Sequence, residues 1–360
     1  MTAVPLLTTD QMASFVSRGF LRLDAVVPDD INAQALEELP LLFRSWLDEF
    51  RGVVTGQASD HEGPELPRSG TPLHQAYAAD SAFGRMVRVP AIAGAIASLV
   101  GAAPVVDHHF VHIKTAGDLH AQGLHCDAII DQGLAFDIQL FWFPHDVAPK
   151  EGGTRFIPGS HLRRVNMDDV SRYHHLAGEQ YFAGDAGTVV IFHQGLWHAG
   201  APNHGSRDRV MGKLRLNPTE PQVRLWDTSD LEARNRADDH MFARMDPGTV
   251  ASVLRNSEPW FEPSVHRLET VQRSKLWRYL TGDEGFAKIL DTLGTVVTAA
   301  AVAKNPDSKP QVASKIADIE QAPRRMASSM VLRLTSLQQH TSGSSRRFGL
   351  RPMRLLRQLR

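Results

Sequence analysis

The sequence predicts a mainly β core flanked by helices. Between Pro104 and about Pro218, short β-branched and aromatic runs are separated by Gly, Pro and Asp, which is typical of the strands of a β-sandwich or barrel. On either side of this region, apolar residues recur at helical spacing. The chain has 360 residues, which is enough for one large domain or two small ones.

The N-terminal region predicts two helices with a strand between them. Thr8 and Gln11 form a capping-box pattern, and Gly19 is a natural helix end before the extended stretch FLRLDAVV. The second helix is predicted over INAQALEELPLLFRSWLDEF, with a break or kink at Pro40. Residues 51–75 are rich in Gly, Ser, Pro and charge, and we expect them to form a long loop.

A short apolar helix precedes the β region, and helices return after it. VPAIAGAIASLVG has Pro90 near its first turn and Gly101 at its end, as a helix should. Five strands are then predicted, over PVVDHHFVHIKTAG, LAFDIQLFWF, GTRFIPGSH, AGTVVIFHQ and RVMGKLRLNP. After Arg224 the helical spacing reappears.

Composition and charge exclude several classes of partner. The formal net charge of −1 gives no global field that would attract nucleic acid or an anionic membrane. A single cysteine cannot form an internal disulfide, which fits a reducing compartment. No signal-peptide pattern and no apolar run of about 18 residues is found, so we expect a cytoplasmic protein without an integral membrane segment.

The stretch GLHCDAII places three metal-binding side chains in a row, His125, Cys126 and Asp127. On a strand, residues two apart point to the same side, so His125 and Asp127 converge and Cys126 faces the apolar interior. Downstream, AGTVVIFHQGLWHAG supplies His198 at the far end of a strand. Two His and one carboxylate leave three positions of an octahedral ion open, the arrangement of non-haem Fe(II) oxygenases.

Such enzymes need a cation for the remote carboxylate of a 2-oxo acid, and an arginine suits this because its guanidinium binds carboxylate through two hydrogen bonds. Arg209, in the strand after His198, is the candidate.

At this point the sequence resembles the phytanoyl-CoA dioxygenase family of Fe(II)/2-oxoglutarate-dependent oxygenases. The resemblance is carried by HCD, EGGTRFIPGSH, LWHAGAPN and Arg209, and it extends over roughly residues 8–218. It implies that His125, Asp127 and His198 bind iron and that Arg209 holds the distal carboxylate of the cosubstrate, 2-oxoglutarate. It also implies a double-stranded β-helix, a jelly roll with flanking helices.

Three further residues are candidates for lining the cosubstrate site. The family commonly has a Trp upstream of the PGSH loop; residue type favours Trp142, whereas counting back from Gly152 favours Phe141. Strand alternation allows only one of them to face inward, and Phe141 is slightly preferred. His109 is a candidate cosubstrate contact, with a hydrogen-bonded structural role as the alternative. Gly200 stands where the family often has a Ser.

The resemblance gives the expected organisation of the chain. Residues 1–225 would form the oxygenase domain, with helices over 8–100 and the jelly-roll core over about 104–218. Residues 226–345 would form a helical C-terminal extension packed on it. Residues 346–360 would form a basic tail, able to bind an acidic partner or a membrane surface but more simply explained as flexible or packed on its own domain.

The expected reaction is hydroxylation of an unactivated C–H bond of a small-molecule substrate, with conversion of 2-oxoglutarate and O₂ to succinate and CO₂. Desaturation, cyclisation or epimerisation by the same iron chemistry remains an alternative, as does a non-catalytic jelly-roll binding protein. Halogenation is disfavoured because Asp127 occupies the position where chloride would bind. A zinc deaminase would need more than one cysteine.

Overall fold

The computed structural model describes residues 4–55, 67–127, 135–163, 175–236, 249–256, 258 and 263–283. Its helices are α1 (Thr9–Arg18), α2 (Asp29–Thr55), α3 (Leu73–Ala76), α4 (Ala82–Met86), α5 (Pro90–Val100), α6 (Leu231–Arg236), α7 (Val250–Leu254) and α8 (Pro263–Thr281). Its strands are β1 (Phe20–Leu23), β2 (Val105–Lys114), β3 (Ile138–Phe143), β4 (Thr154–Phe156), β5 (Gln180–Tyr181), β6 (Thr188–His193), β7 (His198–Gly200) and β8 (Arg209–Asn217).

The strands form two antiparallel sheets, which confirms a mainly β core with helices. The larger sheet has the order β1-β6-β3-β8-β2, and the smaller one has the order β5-β4-β7. All five strands predicted from the sequence are present. The two short strands β5 and β7 were not predicted as separate elements, because two or three residues give too little periodicity to recognise.

The alternating side chains of β3 separate two buried layers. Phe141 and Phe143 point towards the smaller sheet and join a cluster with Phe156 and Phe192. Residues of the other parity, including Trp142, point towards the helices. Both faces of the larger sheet are therefore covered, which explains why every residue of β3 is buried.

The first helix begins and ends as predicted. Thr8 and Gln11 cap its start reciprocally, and Gly19 ends it with a φ of 78°, which a residue with a Cβ rarely adopts. A Cβ on Gly19 would also lie 2.5 Å from Nδ1 of His161. His161 donates from Nε2 to the carbonyl oxygen of Val16 at 2.9 Å, so it ties the PGSH loop to α1.

The second helix is longer than predicted. It continues through Pro40 to Thr55, so the predicted loop over 51–75 begins later, and residues 56–66 lie outside the described part of the chain. The apolar helix α5 matches its prediction, with Pro90 as its first residue and Gly101 after its last.

Residues that follow the β region contribute to the same core. Trp226, Leu254 and Leu276 belong to the buried cluster that contains Met12 and Phe15 of α1. In the described residues, no helix is both long and apolar enough to cross a bilayer. The basic tail and most of the predicted C-terminal extension lie outside the described residues, so the proposed division at residue 225 stays a prediction.

Candidate metal and cosubstrate site

The candidate metal ligands meet where an extended segment, residues 122–127, runs antiparallel to residues 194–200. The amide of His125 donates to the carbonyl oxygen of His198 at 3.0 Å, and the reverse bond is 2.8 Å long. The amide of Asp127 donates to the carbonyl oxygen of Gln194 at 3.2 Å. This pairing places His125 and His198 directly opposite each other, with their ring centroids 4.6 Å apart.

The sequence interpretation placed His198 on the strand of His193, and this was wrong. The strand β6 ends at His193 in the larger sheet, and a turn then carries the chain to β7 of the smaller sheet, where His198 is the first residue. His193 packs against Phe15 and Phe136 beneath the helices instead. The two histidines are therefore separated by a change of sheet.

The three candidate ligands form a compact group. One ligand atom from each of His125, Asp127 and His198 lies within 4.8 Å of the other two, the only such group of three among the described residues. Nε2 of His125 is 3.9 Å from Oδ1 of Asp127, and Nε2 of His198 is 3.7 Å from Oδ2. One cation between them could contact both imidazoles and the carboxylate.

Hydrogen bonds behind the two rings fix which nitrogen faces the group. Nδ1 of His125 donates to the carbonyl oxygen of Gly123, and Nδ1 of His198 donates to that of Leu196, both at 2.9 Å. A carbonyl only accepts, so each Nδ1 carries the proton and each Nε2 presents a lone pair. These second partners hold the imidazoles in the orientation that metal binding requires.

Electrostatics keeps the ligands in their metal-binding protonation states. Burial, together with the neighbouring His125, lowers the pKa of His198 to about 3. Burial alone would raise the pKa of the Asp127 carboxyl, but Lys213 and His198 outweigh it and hold that pKa well below its usual range. A neutral imidazole and an ionised carboxylate are what a divalent metal needs.

A cavity of about 270 Å³ adjoins the candidate ligands. Its wall includes His125, His198, Phe141, Arg209, Met211 and Lys213. A larger cavity, of about 480 Å³, lies near His109 on the helix-covered face of the large sheet. The smaller cavity is the relevant one because two of the three candidate ligands, His125 and His198, line it.

Arg209 enters this cavity from the start of β8. Only 4% of its surface is exposed, and burial lowers its pKa to about 10, so it remains a cation at neutral pH. Its Nε donates to the carbonyl oxygen of Gly152 at 3.0 Å, whereas its buried Nη1 has no hydrogen-bond partner in the described residues. A buried guanidinium with an unused donor is suited to binding a carboxylate.

Phe141 and Trp142 lie on opposite faces of β3. The ring centroid of Phe141 is 5.5 Å from that of His198, so Phe141 lies in the cavity wall. Trp142 points the other way, where its Nε1–H donates to Oδ1 of Asn32 on α2 at 3.0 Å. Its assignment to the cosubstrate is therefore corrected to a role in packing the helices on the sheet.

His109 also lies away from the candidate site. Its Nδ1 is 3.1 Å from the hydroxyl of Tyr77, and its ring packs against Phe83, both beneath the helices. The residues of β2 that face the candidate site are the alternate ones, on the opposite face of the strand from His109. One of these, His112, lines the cavity. The assignment of His109 to the cosubstrate is therefore corrected.

One cavity residue, Lys213, was missed by the sequence reasoning. Lys213 donates from Nζ to Oδ2 of Asp127 at 2.8 Å. It could have been found, since it lies four residues after Arg209 on the same strand and therefore on the same face.

The residues around Cys126 and Gly200 complete the site. Cys126 packs against the cluster of Leu124, Trp197 and neighbouring apolar residues, facing away from the metal-binding atoms as predicted. At Gly200 the amide donates to Oε1 of Gln122 at 2.8 Å, and a Cβ there would lie 3.1 Å from the same oxygen. Gln122 thus occupies the space next to the position where the family often has a Ser.

Two antiparallel sheets that enclose a His-Asp-His group define the class, that of non-haem iron oxygenases. A profile of the family Phytanoyl-CoA dioxygenase (PhyH) matches residues 15–211, more than half of the chain, and the protein belongs to this family. It is accordingly a non-haem Fe(II)- and 2-oxoglutarate-dependent oxygenase.

Comparison with other proteins gives remote similarities only. No curated protein matches the sequence. Among solved structures, the non-haem monooxygenase ThoJ in its nickel complex is 23% identical over 57% of this chain and 76% of its own, with a TM-score of 0.41. EctD from S. alaskensis, in its apoform, is 16% identical over 61% and 79%, with a TM-score of 0.44. HygX from Streptomyces hygroscopicus, with nickel and 2-oxoglutarate bound, is 17% identical over 60% and 88%, with a TM-score of 0.40.

Proposed function

We propose that this oxygenase hydroxylates an unactivated C–H bond of a small-molecule substrate and converts 2-oxoglutarate and O₂ to succinate and CO₂. In this proposal His125, Asp127 and His198 hold Fe(II). The observation that carries it is the orientation of the two imidazoles, whose Nε2 atoms lie 3.9 and 3.7 Å from the Asp127 carboxylate. Neither nitrogen makes a competing hydrogen bond to another described residue.

Arg209 would bind the distal carboxylate of 2-oxoglutarate. Its buried, unpartnered Nη1 supports this role, because leaving such a donor without an acceptor costs about 1–3 kcal/mol. Phe141 would form one wall of the cosubstrate site beside His198. When bound, the iron supplies the oxidising chemistry; the protein positions the reactants and excludes water.

The sheet order supports a more detailed assignment of the fold. We propose a double-stranded β-helix, in which the β1-β6-β3-β8-β2 sheet faces the β5-β4-β7 sheet and residues 122–127 extend the latter. A helical C-terminal extension after residue 225 and a cytoplasmic location remain part of this proposal. Substrate selection would lie in the segments over residues 51–75 and 162–180.

The test is formation of succinate from 2-oxoglutarate by the Fe(II)-loaded protein, across a panel of small metabolites. Asp127→Ala and His198→Ala should each abolish this turnover and lower bound iron, whereas Cys126→Ala is the matched control within the same segment. Full turnover in either ligand variant would sink the assignment of the site.

The product of a stimulated reaction distinguishes the possible outcomes. Gain of one oxygen atom by the substrate supports hydroxylation. Loss of two hydrogen atoms would replace hydroxylation with desaturation or oxidative cyclisation, and an unchanged formula with altered stereochemistry would replace it with epimerisation. A protein that retains metal but turns over no 2-oxoglutarate with any candidate would instead be a binding protein.

A further inference from the structure

Lys213 is a second buried cation in the wall of the candidate site. It lies on β8 on the same face as Arg209 and Met211, and 8% of its surface is exposed. Its Nζ donates to Oδ2 of Asp127 at 2.8 Å and lies 5.5 Å from the ring centroid of Phe141. It therefore touches both a candidate metal ligand and the cavity.

The ammonium group of Lys213 has more donors than the described residues use. It carries three N–H groups, and the carboxylate of Asp127 is its only hydrogen-bond acceptor in the described part of the chain. The side chains of its direct neighbours across the sheet, Phe110 and Phe141, are both aromatic and contain no oxygen. Buried donors are normally satisfied, so a further acceptor is expected in the cavity.

The other lysine of the cavity, Lys114, uses more of its donors than Lys213 does. Lys114 pairs with Oδ2 of Asp118 at 2.9 Å and also donates to the carbonyl oxygen of His120, so two of its donors are used within its own loop. Its charge is thereby balanced locally. It gives a matched control for Lys213 on the same cavity wall.

The positive charges are spaced for a dianion. Four residues of a strand separate the Cα atoms of Arg209 and Lys213 by about 13 Å, and both side chains extend into one cavity. Among the described residues that line this cavity, Asp118 is the only carboxylate, and it is paired with Lys114. A ligand with a carboxylate at each end would satisfy both cations.

We propose that Lys213 is a second cosubstrate-binding residue, which donates to the carboxylate beside the 2-oxo group while Arg209 holds the distal carboxylate. This inference rests on the proposed function. The direction of the ligand follows from position: Asp127 contacts Lys213, so the metal-chelating end of 2-oxoglutarate lies at Lys213 and the other end at Arg209. Lys213 lies beyond residue 211, where the match to the family ends.

The test is calorimetric titration of the Co(II)-loaded protein with two ligands. One is 2-oxoglutarate, and the other is 2-oxopentanoate, which has the same 2-oxo acid end but no distal carboxylate. Removing Lys213 by Lys213→Met should weaken both ligands by the same factor, about 10- to 100-fold, as expected for a charge-assisted hydrogen bond. Arg209→Met should weaken 2-oxoglutarate alone and abolish the preference for it over 2-oxopentanoate.

Three further variants test whether the loss of ligand affinity is due to the charge of Lys213. Lys213→Gln keeps a donor for Asp127 but loses the charge, and should lose affinity like Lys213→Met. Lys213→Arg keeps the charge and should restore most of the affinity for both ligands. Lys114→Met should leave both affinities within about twofold of the wild type, since its charge is already balanced.

Titration of the metal-free proteins with Co(II) separates ligand binding from metal binding. The Lys213 variants should bind Co(II) within about threefold of the wild type, or more tightly because a competing cation is gone. A loss of Co(II) affinity equal to the loss for the ligands would overturn the proposal, because Lys213 would then only orient Asp127. Unchanged binding of both ligands would overturn it too. If the wild-type Co(II) protein binds no 2-oxoglutarate, the proposed function itself is wrong.

Discussion

Glu269 on α8 gives a prediction of how stability depends on pH. Its side chain is 2% exposed, and Oε2 has no hydrogen-bond partner in the described residues. Burial raises the pKa of this carboxyl from 4.5 to about 7, even though Arg273 and Arg163 act in the opposite direction.

The sign follows from proton linkage. The folded protein holds this proton more tightly than the unfolded chain, so the group stabilises the fold fully below pH 4.5 and loses that contribution as pH rises through about 7. The difference between these two pKa values corresponds to about 3 kcal/mol. Above about pH 8 no further change from this group is expected.

Glu269→Gln should remove this dependence because an amide does not titrate. The free energy of unfolding, measured by urea denaturation at half-unit steps from pH 5 to pH 8.5, should fall for the wild type relative to the variant by up to about 3 kcal/mol. Glu37→Gln, at an exposed position on α2, is the control and should change the slope little. Parallel curves for wild type and Glu269→Gln would refute the reasoning, as would a wild type that gains stability over this range.

The remaining predictions test the side-chain directions. Cys126→Ala should keep bound iron and 2-oxoglutarate turnover, and Cys126→Ser should do so with a small loss of stability; loss of metal from either would show that Cys126 faces the ligands. Trp142→Phe removes the donor to Asn32 and should lower the free energy of unfolding by about 1–3 kcal/mol without changing 2-oxoglutarate affinity. A weaker affinity for 2-oxoglutarate would show that Trp142 contributes to the cosubstrate site. Gly19→Ala should lower that free energy by more than about 1 kcal/mol, because φ is positive and the new Cβ meets His161; an unchanged melting temperature would contradict this.

Local rules predicted most elements correctly because the relevant interactions are local. The capping residues of α1, the proline and glycine that bound α5, and the alternation along β3 each depend on a few neighbouring residues. Alternation was also sufficient to separate Phe141 from Trp142, once the face towards the smaller sheet was known. The orientation of His125 and Asp127 relative to Cys126 followed from the same rule.

The errors arose where the tertiary structure, and not the local sequence, determines the position of a side chain. Alternation groups His109 with Val111, but it cannot say which face the helices cover, and the register shift between Val106 and His108 interrupts the count from the start of β2. The run from Thr188 to Gly200 was interpreted as one strand that ends at His198, yet a turn divides it between two sheets. The periodicity of side chains within one run does not indicate that the chain passes from one sheet to the other.

The contrast between His193 and Lys213 shows why the residues around a metal site are harder to predict from the sequence than its ligands. His193 is close to His198 in the sequence but lies in the other layer, where it packs against Phe136 and away from the candidate ligands. Lys213 lies 86 residues from Asp127 in the chain and yet contacts it, because β8 crosses the larger sheet opposite the HCD segment. Metal ligands are recognisable by spacing since the ion constrains them directly. The residues that balance the charge of these ligands are determined by their position in the folded protein. They can therefore be assigned only when the register of the strands is known.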